Sequence, residues 1–391
     1  MKIGLLGCLI NNENLGCQAL TYSILSLLED IRKEAASNAD FYYYVFEANP
    51  DGEKTKQAAV LLDIEPDRMK SYDVTPMFRL RRFIHHFGVG MKTLSAMREC
   101  DVFIDMTGGD SFTDIYGQYT FDSETNVKLL VKRLGKKLIL GPQTYGPFNS
   151  EKNLQKAVRL INKADLVISR DQQSKDYLSS YIKNECHVTT DVAFRLPYTK
   201  IEKVDSGRIK VGINVSGLLL KDKTESTQLA TELKADYDKY ICELIKNLLD
   251  SGKYEIHIIP HVGNDGAEWV RNQFDDKLIY HNQFQNPMDA KSVIAEMDIF
   301  VGSRMHATIG AFSSGVATIP VAYSRKFSGL FEHLEYPYVV DLCGQTTEDC
   351  LKVTIGEIKK ADYLRHEVLE KEPVWRKETS ITKDLIKKLI L

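Results

Sequence analysis

The sequence predicts an α/β protein of two domains, each built on a parallel sheet, with the sheets facing across a cleft and a C-terminal helix crossing back to the first domain. Three observations predict it. Buried-strand runs alternate with amphipathic helical stretches along almost the whole chain, which is the pattern of parallel sheets. At 391 residues the chain exceeds one ordinary core. A polar, non-periodic stretch from Leu196-Pro197 to Gly207 interrupts the alternation once, after which it begins afresh. The expected domains are therefore 1–200 and 207–362, with 363–391 as the crossing helix.

Composition narrows the classes of function. A formal charge of −3 does not announce a nucleic-acid partner. The 7 cysteines are dispersed, with no C-x-x-C pair, and read as reduced thiols of a cytoplasmic protein, neither a disulfide framework nor a zinc site. Leu5-Leu6-Gly7-Cys8 looks like the end of a lipoprotein signal, but its apolar run is too short and polar Asn11-Asn12-Glu13-Asn14 follows, so it reads as a buried strand. No stretch approaches the roughly 18 apolar residues of a spanning helix.

The elements follow in order. Lys2 to Leu9 is a strand, turned by Asn14-Leu15-Gly16 into a helix whose Leu20, Ile24, Leu27, Leu28 and Ile31 keep helical spacing. Gly16 there either lets backbone amides approach an anion or serves as a turn glycine without a ligand. Phe41 to Phe46 is a second strand. From Val74 to Arg98 no acidic residue occurs, while Arg79, Arg81, Arg82, Lys92 and Arg98 accumulate beside His85 and His86. Met77, Leu80, Ile84, Phe87 and Met91 recur at helical spacing, so 77–92 reads as one amphipathic helix. The preferred reading packs its apolar face on the core, and the alternative rests it on anionic lipid.

Asp101 to Asp105 is a strand ending in Gly108-Gly109-Asp110, a turn that opens a crevice and puts an acceptor in it. Lys137 to Leu140 is another, running into Gly141-Pro142-Gln143-Thr144-Tyr145-Gly146-Pro147, whose Gly/Pro pairs present Gln143 and Tyr145 stiffly. Leu166 to Ile168 leads into Ser169-Arg170-Asp171 at a helix start, where Arg170 either meets a ligand, the favoured reading, or pairs with Asp171. Thr190-Asp191-Val192-Ala193 closes this half.

In the second half, Lys210 to Asn214 is a strand, a helix runs from about Ala230 to Leu249, and strand Glu255 to Pro260 carries His261 at its carboxyl end. His261 is a site residue or a loop histidine, and the sequence does not separate these. Strand Asp298 to Val301 then breaks at Gly302-Ser303 and restarts as a helix near Met305, with Ser303 read as its N-cap. Arg304 and His306 fall in the first turn, where the positive end of the helix dipole favours an anion. Ala317 to Ala322 is the next strand, with Lys326 starting a helix. Each of these motifs lies at a strand's carboxyl end, where open α/β sheets bind ligands.

Asn14-Leu15-Gly16, Gly108-Gly109-Asp110, Gly141-Pro142-Gln143, Ser169-Arg170-Asp171, Thr190-Asp191-Val192-Ala193, Ser303-Arg304-Met305-His306-Ala307 and Tyr323-Ser324-x-Lys326 together resemble the polysaccharide pyruvyl transferase family over about the first 335 residues. The resemblance implies a GT-B-like fold of two Rossmann-like domains, the first on the acceptor side and the second on the donor side. It implies transfer of the pyruvyl group of phosphoenolpyruvate, as co-substrate and without a cofactor or metal, to two hydroxyls of a sugar, forming a cyclic ketal. The acceptor implied is a surface-polysaccharide precursor, a lipid-linked oligosaccharide reached from the cytoplasmic face of the membrane.

By the same resemblance, Arg170, Arg304, Lys326, Asn14 and Gly16 bind the donor, His306 is the general acid with Arg304 beside it, and Asp110, Gln143 and Asn214 face the acceptor. The chemistry suits those types: arginine holds phosphate or carboxylate bidentately, and an imidazole titrates near neutrality. Two alternatives remain. One is a GT-B glycosyltransferase using a sugar nucleotide, against which stands the lack of a clear acidic residue at the ribose-binding place of the second half. The other is a non-catalytic relative that binds a glycan or an anion.

Overall fold

Seven parallel strands form the first sheet: β1 (Lys2–Leu6), β2 (Tyr42–Glu47), β3 (Met69–Asp73), β4 (Val102–Asp105), β5 (Lys137–Gln143), β6 (Leu166–Ser169) and β7 (Cys186–Val188), in the order β3-β2-β1-β4-β5-β6-β7. Six form the second: β8 (Ile209–Asn214), β9 (Tyr254–Ile258), β10 (Ile279–Tyr280), β11 (Ile299–Gly302), β12 (Ala317–Ala322) and β13 (Val340–Asp341), in the order β10-β9-β8-β11-β12-β13, again all parallel. In both, the order reverses beside the first strand of the sheet, so the strand ends there splay open. This computed structural model describes residues 1–35, 40–201, 207–221 and 233–391, and within them all side chains but those of Arg325 and Lys326.

The chain divides into two units, one of Met1–Asn12, Leu20–Pro197 and Lys377–Leu391, the other of Glu13–Ala19 and Tyr198–Arg376. Two segments therefore depart from simple sequence order. The first turn of helix Leu15–Glu34 groups with the second unit, and the chain passes to the first unit again within its last helix, Glu372–Ile390. The second-unit helix expected from about Ala230 is seen as Tyr237–Ser251; residues 230–232 lie outside those described.

Central strands are apolar on both faces and fully buried, as helix-covered parallel strands must be. The first unit's core gathers Phe46, Phe103, Phe112, Phe121, Leu138, Leu140 and Tyr145. One charged pair sits inside it: Lys128 Nζ lies 3.0 Å from Asp105 Oδ1, both buried. Asp105 also accepts from Thr107 Oγ1 at 2.6 Å and Gln143 Nε2 at 3.1 Å. Removing one partner from such a pair generally costs about 3–5 kcal/mol, because the other charge is left uncompensated. The network pins the end of β4, from which Thr107, Gly108 and Gly109 turn with φ of 40°, 58° and 87°.

The stretch 77–92 is not one helix. It comprises a 3-10 turn, Thr75–Phe78, and helices Leu80–His85 and Phe87–Glu99, broken at His86. Its apolar positions are not core-facing either: Met77 is buried, but Leu80, Ile84 and Phe87 are 76%, 66% and 60% exposed. No helix among the described residues is long and apolar enough to cross a membrane.

Candidate functional site

In the second unit, the carboxyl ends of β9, β8 and β11 are fastened by one side chain. Asn214, the last residue of β8, donates from Nδ2 to the Ile259 carbonyl at 2.9 Å and accepts at Oδ1 from the Arg304 amide at 2.9 Å. Its carbonyl accepts from the Ser303 amide at 3.2 Å. Asn214 is fully buried, so the expectation that it faces a sugar acceptor is corrected: it positions Arg304.

Ser303 does not cap the helix as expected. Helix Met305–Ser313 has Arg304 at its N-cap, with no side-chain cap bond. The Ser303 hydroxyl instead accepts from Tyr237 Oη at 2.8 Å, and that same oxygen accepts from the Ser216 amide at 2.9 Å. The corner is thus braced from helix Tyr237–Ser251, and Arg304 begins the helix with fixed backbone direction.

Arg304 is gripped from behind. Its Nε donates to Asp265 Oδ2 at 3.1 Å and one Nη to Asp265 Oδ1 at 2.8 Å, a bidentate pair with side chains 13% and 1% exposed. Asp265 has φ 43°, in the left-handed region, and Oδ1 also accepts from the Gly217 amide at 2.5 Å. Burial alone would lower the guanidinium's pKa, but Asp265 raises it above the usual arginine value, so the charge is permanent. The second terminal nitrogen of Arg304 makes no hydrogen bond among the described residues.

Segment 13–19 docks on the loop after β9. The Leu15 amide donates to the His261 carbonyl at 3.1 Å and the Gly263 amide to the Glu13 carbonyl at 3.2 Å, while Asn14 and Val262 form an antiparallel bridge. This brings Gly16 against His306: a Cβ added to Gly16 would stand 2.5 Å from His306 Nδ1 and 2.9 Å from Cγ. The Gly16 amide donates to Asn14 Oδ1 at 2.9 Å. Gly16 is therefore where the imidazole, not an anion, approaches the backbone, and its amide is already engaged. Asn14 shapes that turn.

His261 belongs to the same cluster. It is buried, neither ring nitrogen has a hydrogen-bond partner among the described residues, and its neighbours in charge are His306 and Arg304. Burial first, then those two charges, pushes it down to about 3, so it stays neutral near pH 7. Asn14, Gly16, Asn214, Asp265, His261, Arg304 and His306 thus form one constellation. Lys326 stands in helix Arg325–His333, but its side chain lies outside those described.

The first unit holds a second cluster, at the ends of β4, β5, β6 and β7. Arg170 Nη1 donates to Asp191 Oδ2 at 2.7 Å and Nε to Thr144 Oγ1 at 2.9 Å. The arginine's ion pair is therefore with Asp191, not Asp171, which caps helix Gln172–Ser179 through the Ser174 amide at 2.6 Å. Arg170 is buried and contributes a fixed positive charge beside Asp110. Gly109 allows it close: a Cβ there would lie 2.9 Å from Arg170 Nη1. Asp110 is half-buried and accepts from Tyr116 Oη at 3.2 Å.

Gln143 does not face the acceptor as expected. β5 runs three residues past Leu140, so Gln143 points into the core, fully buried, with its amide on Asp105. Among the described residues, the one trio close enough to share a metal ion is His366, Glu367 and Glu370, on helix Ala361–Glu370.

Residues 14–325 match the sequence model of the family described as polysaccharide pyruvyl transferase. Among solved structures, a UDP-N-acetylglucosamine 2-epimerase is similar with TM-score 0.62 and 11% identity, covering 100% of this chain and 95% of that one. UDP-GlcNAc 2-epimerase from Neisseria meningitidis, bound to UDP-GlcNAc, gives 0.59 and 12%, covering 99% and 100%. The spinosyn rhamnosyltransferase SpnG, complexed with thymidine diphosphate, gives 0.52 and 9%, covering 99% of each. At these identities the likeness is one of fold, and the fold is that of the GT-B enzymes.

Proposed function

The chain belongs to the polysaccharide pyruvyl transferase family, and from that premise we propose that it transfers the pyruvyl group of phosphoenolpyruvate to two hydroxyls of a sugar in a surface-polysaccharide precursor. The observation that carries this reading is the pairing of a permanently charged, rear-anchored Arg304 with the imidazole of His306 at one strand-to-helix corner. An anionic enol phosphate needs both: a cation for the phosphate or carboxylate, and an acid for the enol carbon.

In this mechanism Arg304 turns its unengaged terminal nitrogen to the donor anion. His306, as imidazolium, delivers a proton to the methylene carbon, which becomes methyl, and the developing cationic centre is attacked by the first sugar hydroxyl. That hydroxyl's proton returns to the imidazole. Phosphate then leaves with the C–O bonding pair, and the second hydroxyl closes the ketal, its proton departing with phosphate. One phosphate forms per ketal and no water is consumed. His261, held neutral near pH 7, adds no positive charge beside His306. Asp110 is kept as the proposed acceptor-side carboxylate, on the resemblance of Gly108-Gly109-Asp110 to the family's motif.

A thermal-shift titration tests the donor. Phosphoenolpyruvate at a hundred times its dissociation constant adds about 2.7 kcal/mol of stability, so the melting temperature should rise with it and not with UDP- or TDP-sugars. A shift given by a sugar nucleotide alone would replace the pyruvyl donor with a glycosyl donor.

A further inference from the structure

The face of residues 79–92 is apolar, basic and uncovered. Leu80, Ile84, Phe87, Val89 and Met91 are exposed, between exposed Arg79, Arg81, Arg82 and Lys92. Contiguous apolar surface of this kind is rare on a soluble chain unless something covers it. The face has its own scaffold. Phe83 packs edge-on to Phe87 with ring centroids 5.9 Å apart, and a Cβ on Gly90 would stand 2.7 Å from the Phe83 ring. Its outward apolar side chains are therefore held by an ordered turn between two helices.

Charge decides the occupant. No acidic residue occurs between Val74 and Arg98, and Asp122, whose charge lies near Arg79, is committed to Lys156 at 2.7 Å. The Arg79 and Arg82 guanidinium groups lie 4.7 and 5.4 Å from the Tyr119 ring centroid, and Tyr119, Tyr116 and Ile115 are themselves exposed. Amphipathic aromatic rings and arginines around exposed aliphatic side chains suit the headgroup zone of a bilayer, where the stems go in and the charges stay among phosphates. A purely apolar protein partner would leave these guanidinium groups desolvated.

We propose that this face docks on an anionic lipid surface. The inference rests on exposure and charge alone and does not depend on the reaction proposed above.

Flotation of the full chain with phosphatidylcholine vesicles, with and without phosphatidylglycerol, tests it. The chain should float with the anionic vesicles only, and less as salt rises. Arg79→Gln/Arg81→Gln/Arg82→Gln should weaken partition about 100-fold, at about one fivefold step per charge. Leu80→Ser/Ile84→Ser/Phe87→Ser should abolish it, with both variants melting as the parent does. Absence of flotation, or equal flotation of the parent and both variants, overturns the proposal. So does a dimer in sedimentation that the serine variant dissociates without any flotation, since a second copy would then cover the face.

Discussion

His306→Ala should lower kcat for pyruvyl transfer about 10²–10⁴-fold, the range a positioned general acid supplies. The protein should still melt cooperatively and still be stabilised by phosphoenolpyruvate, because Arg304 and Asp265 form their pair without the imidazole. Gly16→Ala refines the test. Gly16 has an ordinary backbone conformation, so alanine adds no dihedral strain; its methyl would collide with the ring at 2.5 Å from Nδ1 and press more lightly on Asn14 Oδ1 at 3.1 Å. The ring must move away, and kcat should fall although His306 is still present. Unchanged kcat in either folded variant would remove His306 from proton transfer.

Arg304→Lys should raise KM for phosphoenolpyruvate about 10–100-fold with a smaller change in kcat. A single ammonium cannot satisfy both oxygens of Asp265 at 3.1 and 2.8 Å and also reach a ligand anion. The loss corresponds to one charge-assisted hydrogen bond, about 1.5–3 kcal/mol. Steady-state kinetics over a phosphoenolpyruvate series measures it, and an unchanged KM would contradict the anion role.

The central strands were legible because burial on both faces makes them continuous apolar runs; Ala317–Ala322 was read to the residue. The four strands not foreseen, β3, β7, β10 and β13, are the sheet edges; all are half-covered, and β7, β10 and β13 are also short, so none carries such a run. Gly141-Pro142 looks like a breaker, so the sequence ends β5 at Leu140 and leaves Gln143 in a loop, whereas the strand runs on and carries Gln143 into the core.

Arg304 and His306 were legible from a strand-to-helix break. What braces them was not. Asp265 is 39 residues from Arg304, and its only local signal is the turn composition Gly263-Asn264-Asp265-Gly266. Tyr237 lies 66 residues from Ser303, and nothing near that serine reveals that its hydroxyl is taken. At Gly16 the sequence offers an approaching anion or a turn without a ligand, and spacing does not reveal that an imidazole from 290 residues away lies against it. At 77–92 the period is visible, yet a pattern of apolar positions does not state what covers them, and past Met77 no described part of the chain covers Leu80, Ile84, Phe87 or Met91.

The most direct measurement of the central claim is acceptor-dependent phosphate release from phosphoenolpyruvate with defined lipid-linked sugars, paired with mass analysis of the sugar. The account predicts one phosphate per sugar modified and a mass gain of one pyruvate less one water, both absent with His306→Ala. Sugar modification without phosphate release, or phosphate release that leaves every sugar unchanged, would contradict it.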